Sequence, residues 1–298
     1  MGEPPQVPPG AAVRVPPRLA EVVDEGVMLS AIPWSLEGDQ TPVLLVHGLA
    51  SNARLWDGVG AELAAQGHPV IAVDQRGHGL SSKPDDGYDF ATITRDLYRL
   101  ITRLGWLSRP PMVAGQSWGG NVVLDLAARY PDAVSGLTLV DGGTIELTAR
   151  FADWPTCEAA LAPPALAGTP ATKLEEWARG NHPDWPETGI EGTLANMEVL
   201  EDGTVRPWLS RDNHMRILRH LWEHRPRDLY PRVDVSVVLV MAEDRSNPRW
   251  MAGKRNEVEG AIAALRRATA HWIEGDHDLH AQHPEIVAGL IHDACRTG

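Results

Sequence analysis

Gly115-Gln116-Ser117-Trp118-Gly119 sets a serine between two glycines, each two residues away. A serine hydroxyl becomes a useful nucleophile only when a neighbouring base takes its proton and the backbone presents it in the open. The Gly-x-Ser-x-Gly spacing is that of a nucleophile elbow, a sharp strand-to-helix turn with the serine in a strained conformation. Residues two away on either side must lack bulk there, which glycine supplies. With 11 serines and 28 glycines in 298 residues, chance alone yields ~0.1 such matches, so context matters. The pattern follows the apolar run Met112-Val113-Ala114 and opens the helical stretch Asn121–Tyr130, which is where an elbow belongs.

A second group of donors is expected after Val43-Leu44-Leu45-Val46, where His47-Gly48-Leu49 ends an apolar run. A loop there can aim the Leu49 N–H at the same point as the Trp118 N–H, and two such donors would form an oxyanion hole. The Trp118 ring is expected to line the pocket. His220-Leu221-Trp222-Glu223-His224 matches the His-x-x-Glu-His signature of one zinc peptidase class. No third ligand is visible, and the match is read as a coincidence on a helix, with no metal expected.

Four motifs occur in order: His47-Gly48-Leu49, Asp74-Gln75-Arg76-Gly77-His78-Gly79-Leu80-Ser81, Gly115-Gln116-Ser117-Trp118-Gly119-Gly120 and Gly275-Asp276-His277. In order and spacing the chain resembles the α/β-hydrolase superfamily over about 40–141 and 233–292. The resemblance implies an eight-stranded sheet, a triad in the order serine, acid, histidine, a helical cap between strands six and seven, and no cofactor. It selects His277 as general base, although His280 and His283 follow at three-residue steps and, with Asp276 and Asp278, could suggest a metal cluster. It makes the Asp74–Ser81 loop structural, with Arg76 and His78 as braces.

The acid is where the chain departs from the family's usual pattern. A Gly-x-x-Asp turn commonly follows strand seven, but here the strand runs Val237-Val238-Leu239-Val240-Met241-Ala242-Glu243-Asp244-Arg245. Asp244, one residue early, is the first choice. Asp141, ending strand six before Gly142-Gly143, is the second, and Glu243 the third.

These side chains need a scaffold. The chain's composition is ordinary for a globular protein, and 298 residues suffice for one large α/β domain with an insertion. Leu19–Val23 and Val27–Trp34 flank Asp24-Glu25-Gly26 as a hairpin. Val43–His47, Val70–Asp74, Met112–Gly115 and Leu137–Asp141 then alternate with amphipathic stretches near 53–66, 91–104 and 118–130, which predicts a mainly parallel sheet. Alternation lapses between Thr144 and Arg232, a stretch with five of the 11 tryptophans and a helical pattern at Arg211–Arg225. It resumes with Val235–Met241, a helix around 254–268, a strand at 270–274 and a helix from Pro284. The expected organisation is therefore a proline-rich disordered arm at 1–17, a core at 18–143 and 233–298, and a helical cap at 144–232.

A net charge of −13, with no Lys/Arg cluster, argues against nucleic acid or an anionic membrane surface as partner. Two cysteines, Cys157 and Cys295, form no disulfide framework, and a cytoplasmic location is expected. The expected activity is cleavage of a carboxylic ester or lactone of a partly apolar small molecule through an acyl-enzyme. Cap tryptophans, Trp154 and Trp177 among them, are expected at the substrate. Alternatives are carbon–carbon bond hydrolysis or cofactor-free perhydrolysis with the same triad, and a small-molecule receptor without turnover. The sequence does not specify an oligomeric state.

Overall fold

Val43–Val46 (β3), Val70–Val73 (β4), Met112–Gln116 (β5) and Gly136–Val140 (β6) are buried at every residue. Strands buried on both faces need helices on both sides, which is how a parallel sheet is stabilised. The computed structural model describes residues 16–297, so the arm expected at 1–17 lies outside the described residues except for Pro16 and Pro17. Leu19–Asp24 (β1) and Val27–Ser35 (β2) form the N-terminal hairpin, and Ser236–Glu243 (β7) and Ala268–Glu274 (β8) complete the sheet. The strand order is β1-β2-β4-β3-β5-β6-β7-β8, with only the β1–β2 and β2–β4 pairs antiparallel.

On one face, Asp57–Ala65 (α1) and the C-terminal helix Pro284–Thr297 (α9) bury Val59, Leu63, Val287 and Ile291. On the other, Phe90–Arg103 (α2), Trp118–Arg129 (α3) and Pro248–Ala264 (α8) bury Ile93, Leu97, Val122, Leu126 and Val258. Helix α8 starts six residues before the expected 254. Asn247 accepts the Trp250 N–H and Pro248 occupies the first turn, a start signal that outweighs the polar composition downstream. Lys254 thereby falls within the helix rather than at its start.

Between β6 and β7 the chain leaves the sheet. It forms helices Trp154–Leu161 (α4), Ala171–Asn181 (α5), Glu187–Leu194 (α6) and Arg211–Glu223 (α7). An antiparallel hairpin, Met197–Val199 with Val205–Pro207, was not foreseen because its strands are only three residues each. The insertion is tied to the core by Asn52 Nδ2 donating to Gly192 O (2.9 Å) and by Asn213 Nδ2 donating to the Tyr88 hydroxyl (2.7 Å). Cys157 and Cys295 are free thiols. Among the described residues no helix is long and apolar enough to cross a membrane.

Candidate active site

Strand β5 ends at Gln116 and α3 starts at Trp118, so the whole reversal falls on Ser117, with φ 52° and ψ −123°. Left-handed φ is costly for a residue with a Cβ, and the neighbours hold it. The Ser117 N–H donates to Val140 O at 2.9 Å, and the N–H of Gly120 donates back to Ser117 O at 2.9 Å. The flanking glycines are sterically required. A Cβ on Gly115 would lie 2.4 Å from Gly119 O, and one on Gly119 would lie 2.3 Å from His47 O.

Asp141, the first residue beyond β6, also has a left-handed φ of 44°. Aspartate tolerates this region better than most residues. Gly142 must follow, because a Cβ there would sit 2.2 Å from Ser117 O. The turn aims the Asp141 carboxylate across the ends of β6 and β7. Its Oδ2 lies 2.6 Å from His277 Nδ1, and its Oδ1 accepts from the Ala242 N–H at 3.0 Å and pairs with Lys254 Nζ at 2.5 Å.

Asp244 does not reach His277. It is exposed, and its Oδ1 accepts from the N–H (2.8 Å) and hydroxyl (2.6 Å) of Ser246, closing a local turn at the cavity rim. Strand β7 runs on to Glu243 before turning, which carries its loop outward. Glu243 faces Arg255 and Arg245 instead. Of the three carboxylates expected as the acid, the structure brings only the second choice, Asp141, to the histidine.

Burial pushes the Asp141 carboxyl upward, but the hydrogen bond and charge of His277 and the Lys254 ammonium outweigh it, leaving Asp141 below the ordinary carboxylate range. An ionised carboxylate only accepts, so Nδ1 carries the His277 proton and Nε2 is left as a free base. For His277 itself, desolvation is the largest influence and disfavours the imidazolium. Asp141, followed by Asp278, overcomes it, and His277 ends above the ordinary 6.5. A base works only when neutral, and kcat/KM reports the free enzyme. The acid limb of kcat/KM is expected to be lost as pH falls through a midpoint above 6.5. A midpoint below about 6 would contradict this assignment.

Surrounding polar groups brace the site. Asn121, on the buried face of α3, accepts the Gly143 N–H at 2.9 Å and donates to Ile145 O at 2.8 Å, which pins the turn holding Asp141. His47 Nε2 accepts the Gln75 N–H at 3.0 Å, so its Nδ1 donates to Gly48 O at 2.7 Å, and the fully buried ring is committed to the loop bearing Leu49. His78 Nε2 accepts the Ala50 N–H at 3.3 Å and its ring stacks on Trp118 at 5.6 Å. Arg76 pairs with buried Asp96. Leu49 and Trp118 line one cavity with Ser117, Asp141 and His277, about 790 Å³ in volume. As the first residue of α3, Trp118 has a backbone N–H without an intrahelical acceptor.

A family model described as the α/β hydrolase fold matches residues 41–182. The crystal structure of E-2-(acetamidomethylene)succinate hydrolase superposes with a TM-score of 0.74 and 25% identity, over 94% of this chain and all of that one. The chain has the α/β-hydrolase fold. The 2-(acetamidomethylene)succinate hydrolase of Mesorhizobium japonicum is 29% identical over 180 residues, 58% of this chain and 60% of that protein. An esterase of Mycobacterium tuberculosis is 36% identical over 132 residues, 44% of this chain and 42% of that protein. The curated relatives are thus matched over less than two thirds of their own lengths, only 38% for a further mycobacterial protein.

Other expected residues lie elsewhere in this fold. Trp154 packs against Trp222 (6.2 Å between centroids) and under Arg219, and Trp177 is 52% exposed with its edge to His182. None of the five tryptophans of the insertion lines the cavity, whose wall there is formed mainly by Ile145, Leu147, Leu161, Leu218 and Leu221, with Thr144, Arg150 and His214 among them. The two histidines of the zinc-like motif diverge. His220 is at the surface near Glu223, whereas His224 is buried, accepting from Asn121 Nδ2 and facing Asp125. His280 is buried against Trp56, its pKa pushed down to about 3 by desolvation, and His283 faces Glu274 O. Asn121 and Lys254 were missed. Asn121 carried a faint signal, a polar residue on the buried face of an apolar helix just past the elbow; Lys254 carried none.

Proposed function

We propose that this α/β-hydrolase is a serine esterase or lactonase acting on a partly apolar small molecule. The observation that carries the reading is the 2.6 Å contact of His277 with Asp141 in the cavity that also holds the strained Ser117. His277 Nε2 takes the Ser117 hydroxyl proton as Oγ bonds to the acyl carbon. The resulting oxyanion accepts from the N–H groups of Leu49 and Trp118, and the leaving alkoxide departs with the proton held on His277. Water, deprotonated by His277, then cleaves the acyl-enzyme. The esterase and hydrolase names among the relatives agree with this chemistry.

Purified protein assayed on p-nitrophenyl esters of rising chain length and a set of lactones tests the reading. Turnover that depends on Ser117 supports it; tight binding of these compounds without turnover favours a receptor. The aliphatic wall makes a further prediction. Leu161 lines the cavity and is 38% exposed, so Leu161→Phe narrows the site with little effect on stability. The ratio of kcat/KM for long over short acyl esters is expected to fall by about ten-fold, the range for a methylene or two in an apolar pocket. A uniform loss across chain lengths would count against the insertion as the acyl wall.

A further inference from the structure

The Lys254 side chain is only 9% exposed, yet it forms no part of the reacting set. Its Nζ lies 2.5 Å from Asp141 Oδ1 and donates to Ala242 O at 2.6 Å, with the Trp272 ring 5.9 Å away. A buried ammonium needs a counter-charge, and this one shares the carboxylate that serves His277. The ordinary partner of Asp141 Oδ1 is a single backbone donor, the Ala242 N–H. With His277 Nδ1 at Oδ2, the carboxylate would then have one donor at each oxygen, one of them on the catalytic ring it has to orient. Lys254, carried on helix α8, adds a second donor at Oδ1, so that two groups independent of the histidine fix that oxygen.

We propose that Lys254 is a positioning residue, clamping Asp141 Oδ1 so that Oδ2 stays directed at His277 Nδ1. The inference rests on the serine-hydrolase reading above. Lys254 also acts through its charge. Asp141 and Asp278 favour the imidazolium, and Lys254 opposes it. Of the other titratable groups nearby, Asp276 is turned to the insertion by Trp185 Nε1 (2.9 Å) and His182, His280 is pushed towards its neutral form by burial, and Asp244 is occupied by Ser246. Lys254 is thus the cation that keeps His277 a free base at lower pH than Asp141 alone would allow.

The test is the pH dependence of the rate at which a fluorophosphonate labels Ser117, a reaction that needs the base and no knowledge of the substrate. Lys254→Met, with Lys254→Gln as a second variant that keeps a donor but no charge, is expected to move the acid limb upward by about half a unit or more. The plateau rate of Lys254→Met is expected to fall about ten-fold, the size of one hydrogen bond to a charged group. Lys254→Arg restores both. If the limbs of the Met and Gln variants superimpose on that of the wild type and the plateau of Lys254→Met does not fall, the positioning role is wrong while the hydrolase reading stands. If Ser117 of the wild type is not labelled at all, the hydrolase reading itself fails.

Discussion

Asp141→Asn is expected to lower kcat by up to about 10⁴-fold with the fold retained, whereas Asp244→Asn should stay within about three-fold of the wild type. The asymmetry follows from what each carboxylate holds. Asn at 141 would offer an amide where His277 needs an acceptor, favouring the wrong tautomer or ring orientation. It would also leave the Lys254 ammonium, at 2.5 Å from Oδ1, without its counter-charge. Some loss of thermal stability should accompany the loss of rate, since a buried charge is left unpaired. Asp244 is exposed and caps its own turn through Ser246, so neutralising it removes a local hydrogen bond and little else. Steady-state kinetics of both variants, with thermal melts, check the pair. An active Asp141→Asn beside a collapsed Asp244→Asn would reverse the assignment.

Ser117→Ala is expected to have the largest effect, a loss of kcat of about 10⁵-fold or more, because serine, histidine and acid act as a unit. Stability should barely change. Alanine keeps the Cβ that suffers the 52° φ, so the strain is neither relieved nor increased, and the turn is held by backbone bonds to Val140 and Gly120. Comparable residual activity in Ser117→Ala would mean that another nucleophile does the work.

The two levels of description agree where a steric or apolar pattern was local. The elbow was legible because glycine at 115 and 119 is the direct mark of backbone atoms within 2.4 Å of where a Cβ would be. The buried strands were legible as unbroken apolar runs. Which carboxylate meets His277 was not, because that depends on which strand end points across the sheet. Asp141 and Asp244 differ in sequence only by a strand and a turn, but the turn at Asp141 is directed by Asn121, on a different element, and by Gly142 against Ser117. Tertiary contacts of that kind leave no periodic trace. The tryptophans of the insertion lie off the cavity, Trp154 against Trp222, Trp185 beside Ile190 and Ala281, and Trp208 under Lys83, because large rings bury well wherever a packing gap allows, while mostly aliphatic side chains line the cavity there. Lys254 was invisible because the start of α8 was set by Asn247 and Pro248 rather than by apolar periodicity.

The most direct measurement is mass spectrometry of the folded protein after stoichiometric fluorophosphonate treatment. A single phosphonyl adduct on the peptide containing Ser117, absent from Ser117→Ala and formed far more slowly in Asp141→Asn, is the predicted result. An active, folded protein that is labelled on another residue, or not labelled, would contradict the account.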